Sequence, residues 1–140
     1  MEGLQRNKDP NKRRIVNKKK QNKLTKAFIE RGGKVWQDDE AARYLESQKA
    51  DAICLGKDVI VLQKKATISE ILEELFHADQ HFKKEIDTSS RRSIVEAEIA
   101  AQEYLLSVTK KYKIPRSEVQ QTQKALKFYQ QELEELQNEE

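Results

Sequence analysis

A chain of 140 residues with one cysteine is long enough for a single modest core. It excludes an internal disulfide and a multi-cysteine metal cluster. Hydrophobic and charged residues each make up 36%, with only 4 Gly and 2 Pro, which suits a helix-rich domain better than a loop-rich sandwich. The net charge of +3 hides an asymmetry: residues 1–27 alone carry ten Lys or Arg against Glu2 and Asp9. Polyanion contact, if any, belongs to that basic segment and not to the mildly acidic body. No apolar run approaches the roughly 20 residues of a membrane span, and no apolar signal segment opens the chain. The expected location is therefore cytoplasmic, with no membrane partner.

In chain order, residues 1–20 are poor in apolar side chains and are expected to form a disordered basic arm. The domain is expected over residues 21–140. Leu24–Arg31 predicts a short helix closed by Gly32-Gly33, and Lys34–Gln37 a short strand. Asp38 is placed to cap a helix over Asp39–Gln48. Two apolar runs, Ala52–Leu55 and Val59–Leu62, flank Gly56-Lys57-Asp58 and predict a hairpin. Their near-continuous apolar character implies helices on both faces. Cys54 within the first run is expected to be a buried structural thiol.

From Thr67 the period turns helical. Thr67 and Glu70 form a capping-box pattern, and the helix is expected to reach Phe82. A break at 87–90 precedes a second long helix, about Arg92–Tyr112, and a third from a Ser117 cap to about Gln137. The fold class is α+β: a short sheet or hairpin followed by three longer helices.

On the Thr67 helix, Ile68, Ile71, Leu72, Leu75 and Phe82 share one face, while Glu73, Glu74, His77 and His81 share the opposite one. Both histidines of the chain lie here. Two ligands at i and i+4 stack on one helix face and can hold one metal, with an adjacent Glu polarising its water. Glu73-Glu74-Leu75-Phe76-His77 has the H-E-x-x-H spacing with Glu in the first ligand position. Glu73 and His77 are then ligands and Glu74 the general base. A rival register pairs His77 with His81 and leaves Ala78 in the base position. On the next helix Glu98 borders the apolar stripe, whereas Glu96 lies further round, so Glu98 is the better-placed third ligand. Asp79 is expected to accept a hydrogen bond from a loop or a buried neighbour.

Residues from about Gly32 to Leu133 resemble the zincin-like metallopeptidase domains of bacterial polymorphic toxins and of some phage minor head proteins. The Val59–Leu62 strand, Glu73–Gln80 and Glu96–Gln102 carry the resemblance. It implies Zn2+ as cofactor, a protein or peptide substrate, hydrolysis through a metal-bound water, and an assembly or immunity partner. It also implies delivery as a toxin or packaging in a virion. Two other readings stay open: a catalytically inactive zincin-like assembly module, and weak nucleic-acid binding through the basic arm.

Overall fold

The computed structural model describes residues 13–139, and the first twelve residues of the expected arm lie outside them. The elements are α1 (Lys18–Glu30), β1 (Lys34–Trp36), α2 (Asp39–Ser47), β2 (Ala52–Leu55), β3 (Val59–Leu62), α3 (Ile68–Phe82), α4 (Arg91–Ser107), α5 (Thr109–Tyr112) and α6 (Arg116–Asn138). This is an α+β fold.

The three strands form one sheet in the order β1-β3-β2. β2 and β3 are the expected antiparallel hairpin, with Ile53 opposite Val61. β1 adds to β3 in parallel, Val35 opposite Ile60. Because β3 is central, alternate residues leave by opposite faces. Ile60 and Leu62 pack with Phe28 of α1 and with Ile71 and Ala78 of α3. Val61 packs with Ala41 and Leu45 of α2. Helices thus cover both faces, and Cys54 is a buried thiol donating to the Gly56 carbonyl at 2.9 Å.

The expected arm ends sooner than composition suggests. Arg13, Ile15 and Val16 are tied to the turn before α3, and α1 begins at Lys18, six residues before the expected start. Asn17 caps it by accepting from Lys20 N. The buried face of α1 is Gln21, Thr25 and Phe28. Two of those three are polar, so the early turns carry no apolar period. Gln21 is satisfied by a reciprocal amide pair with Gln37, at 2.7 and 3.0 Å.

Two later boundaries also differ. The expected helix Arg92–Tyr112 breaks at Val108, where the backbone leaves helical geometry (φ −106°, ψ 11°). Ser107 and Thr109 hydroxyls donate back to the Tyr104 and Leu105 carbonyls, and the β-branched pair Val108-Thr109 crowds the preceding turn. Ser117 is not a cap: α6 starts at Arg116 behind Pro115, whose fixed φ of −59° suits a helix entrance. Phe82, expected on the apolar face of α3, is 54% exposed and lies under the Arg31 guanidinium at 4.5 Å.

Gly33 packs directly on the Phe28 ring. A Cβ added there would sit 2.6 Å from three ring atoms. The ring is buried and has little room to yield, so Gly33→Ala is expected to lower stability by about 1–3 kcal/mol, read by urea unfolding.

Candidate metal centre

α3 and α4 run antiparallel and in contact, and their pairing places the site. Gln80 meets Ala97, His77 meets Glu98, and Glu73 meets Gln102. Alanines 97 and 101 are buried on α4 and keep the contact close. One turn away from this line, Phe76 stacks on Tyr104 with ring centroids 4.7 Å apart.

α3 owes its position to its first turn. Thr67 and Glu70 complete the capping box expected from sequence. Glu118 of α6 accepts from Ser69 N at 3.1 Å, a second carboxylate at the positive end of the helix.

At the crossing, His77 Nε2 lies 3.4 Å from Glu98 Oε1 and 3.7 Å from Glu73 Oε2. One ligand atom from each of Glu73, His77 and Glu98 lies within 4.8 Å of the others. The relative exposures are 3% for Glu73, 4% for Glu74, 1% for His77 and 0% for Glu98. The face of α3 that helical periodicity would leave in water is therefore enclosed, with α4 packed against it.

Such burial has a clear electrostatic demand. Removing a carboxylate from water costs several kcal/mol unless a cation or strong donors compensate it. Burial by itself would push the His77 imidazole down. The facing carboxylates of Glu73 and Glu98, with the charge of Glu74, outweigh that and hold it well above its ordinary value. The cluster thus favours positive charge at its centre. Two carboxylate oxygens and one imidazole nitrogen make a donor set suited to a divalent ion, with a coordination position left over for water. The residues present fit such an ion.

The structure brings together Glu73, His77 and Glu98 and leaves other candidates apart. Glu74 is buried beside them: burial pushes the Cys54 thiol up and the Glu74 charge adds to that rise, as it adds to the rise at His77. His81 is half-buried one turn on, outside the cluster, and burial lowers its imidazole. Glu96 is exposed and pairs with Arg92 at 2.9 Å. Asp79 faces the surface, paired with Lys83 at 2.8 Å and Arg31 at 3.5 Å. A groove of about 990 Å³, lined by Leu24, Leu75, Phe76, Tyr104 and several lysines, opens elsewhere on α3 and includes none of the cluster.

Two residues of the site escape a reading based on ligand spacing. Gln80 and Gln102 are both buried and bond directly to His77 and Glu73. The available signal was an uncharged polar side chain one turn from each expected ligand.

The family model for metallopeptidase toxin 4 matches residues 2–135. Neither a curated protein nor a solved structure gives a significant match.

Proposed function

The chain belongs to the metallopeptidase toxin 4 family, and on that premise we propose that it is a zinc peptidase with Glu73, His77 and Glu98 as ligands and Glu74 as general base. The observation that carries the proposal is the closure of three buried ligand atoms from two helices to within 4.8 Å. Bound there, zinc would polarise a water and bring its pKa to about 7.

The chain's own residues supply the rest. Glu73 and His77, four residues apart, stack on one side of α3, and Glu98 approaches from α4. Glu74 follows Glu73 directly and shares its enclosed environment, where a carboxylate can take the proton of the attacking water and pass it to the leaving amine. The substrate is a protein or peptide, as the family implies. Among the described residues no helix is long and apolar enough to cross a membrane. Delivery as a toxin and restraint by an immunity partner follow from the same family reading.

Burial of the whole cluster favours a second reading, a metal-stabilised assembly module without turnover. A peptide carbonyl must reach Glu74, which is only 4% exposed, so hydrolysis requires the cover over α3 to open. Metal analysis of protein purified without chelator, combined with mass-spectrometric detection of cleaved proteins, separates the two. Stoichiometric zinc with cleavage supports the peptidase, and zinc without cleavage supports the module. Replacing His77 by Ala is expected to abolish stoichiometric zinc. Wild-type protein free of any divalent metal would sink both readings.

Weak polyanion binding remains tied to the basic residues of 1–27. Lys18, Lys19, Lys20, Lys23 and Lys26 all lie on α1. Neutralising those five by Gln is expected to weaken salt-sensitive binding to nucleic acid without shortening the helix. Gel-shift titration at two salt concentrations checks this, and unchanged binding would place the contact elsewhere.

A further inference from the structure

His77 has two ring nitrogens, and only one of them faces the carboxylates. Nε2 lies 3.4 Å from Glu98 Oε1, beyond the roughly 2.7–3.2 Å of a good N–H···O bond. Nδ1 lies 2.8 Å from Gln80 Oε1. The other end of that amide is committed: Gln80 Nε2 donates to the Ala97 carbonyl at 3.1 Å. A carbonyl can only accept, so the amide nitrogen must face Ala97 and the amide oxygen must face His77. An oxygen opposite Nδ1 in turn requires that Nδ1 carry a proton. With Nδ1 protonated, the neutral imidazole that can bind a metal keeps its lone pair on Nε2, aimed between Glu73 and Glu98.

We infer that Gln80 is a positioning residue for the metal centre: through its bond to the α4 backbone it sets the His77 tautomer and ring orientation so that Nε2 is the ligating nitrogen. The inference rests on the metal reading above and goes beyond it by assigning how the imidazole is prepared. Gln80 is 4% exposed, so water does not compete for either end of its amide. It sits three residues after His77 on the same helix, and its anchor is on the opposing one. The ring is thereby referenced to α4, the helix that also supplies Glu98. Gln102 does the corresponding task for the other α3 ligand. It reaches from α4 to donate to Glu73 Oε2 at 3.2 Å. Each ligand on α3 is thus braced by a glutamine bond that spans the two helices, one on either side of the crossing.

The test uses nitrogen-15 NMR on the zinc-loaded full chain. It holds only 2 histidines, so the imidazole spectrum contains two spin systems. The expected result is a slowly exchanging proton on His77 Nδ1 with the metal on Nε2. Gln80→Leu is expected to weaken zinc binding roughly 10–100-fold in chelator competition and to speed exchange of the Nδ1 proton. Gln80→Glu keeps an acceptor at Nδ1 but loses the donor to the Ala97 carbonyl, so it is expected to restore slow Nδ1 exchange and only part of that affinity. A loss caused only by looser packing would leave the Nδ1 signal unmoved and would not be rescued by Glu. Zinc on Nδ1 in wild type, or a Gln80→Leu protein that binds zinc as tightly as wild type with the same Nδ1 exchange, overturns the inference and leaves the metal site standing. Wild type that takes up no zinc overturns both. Should Gln80→Leu fail to fold, the wild-type spectrum decides alone.

Discussion

Glu74→Gln is expected to bind zinc as wild type does and to hydrolyse protein substrates roughly 10²–10⁴-fold more slowly. Gln has nearly the same shape as Glu, so a side chain that is 4% exposed can be replaced without opening a void. What disappears is the ability to take a proton. Glu74 stands outside the Glu73, His77 and Glu98 group, so its loss removes no ligand from that set. The neighbouring change Glu73→Gln should behave in the opposite way. It replaces a carboxylate 3.7 Å from His77 Nε2, so metal affinity should fall first and activity only as a consequence. Metal content and single-turnover cleavage, measured on both variants, distinguish the two roles. Full activity in Glu74→Gln would refute its assignment as base, and loss of metal in that variant would make it a ligand instead.

These two adjacent carboxylates also show how far the sequence can be read. The capping box at Thr67, the Asp38 cap and the hairpin were all legible, because each is a local rule with a short spacing. That Glu98 would face His77 was legible because a carboxylate at the border of an apolar stripe is carried toward the neighbouring helix. The choice between Glu73 and His81 was not, since both lie four residues from His77. The antiparallel register of α4 puts Glu73, and not His81, beside the pair: Glu98 lies opposite His77, and Gln102 then falls opposite Glu73. Register is a property of two helices, and no single-helix period contains it. The start of α1 was hidden for a different reason. Gln21 is satisfied by the Gln37 amide from beyond the helix and Thr25 by the Gln21 carbonyl one turn back, and a hydrophobic pattern registers neither.

The same limit applies to Arg13, which composition assigned to a disordered arm. Its guanidinium makes two 2.7 Å bonds to the two Glu70 carboxylate oxygens and a third, at 3.0 Å, to the Lys65 carbonyl. Val16 N then donates to the Ala66 carbonyl at 2.9 Å, so residues 13–16 strap the turn that leads into α3. Side-chain exposure is 8% for Arg13 and 2% for Glu70, and Glu70 Oε1 also accepts from Thr67 N within the capping box. Arg13→Met keeps most of the apolar stem but leaves that carboxylate buried without its cation, and is expected to cost about 3–5 kcal/mol. The pH dependence follows from Glu70. Burial raises its pKa above the ordinary carboxyl value, and Arg13 opposes the rise. A carboxyl raised in the folded state contributes stability below its unfolded pKa and loses it as pH rises through the folded one. Without Arg13 the rise is larger, so more stability is lost by neutral pH. The gap between variant and wild type should therefore be widest near neutral pH and narrow toward about pH 4, as Glu70 takes up its proton. Urea unfolding at the two pH values measures the gap. A pH-independent difference would mean that Arg13 acts through packing and not through Glu70, and no difference at all would mean that residues 13–16 do not hold the entrance to α3.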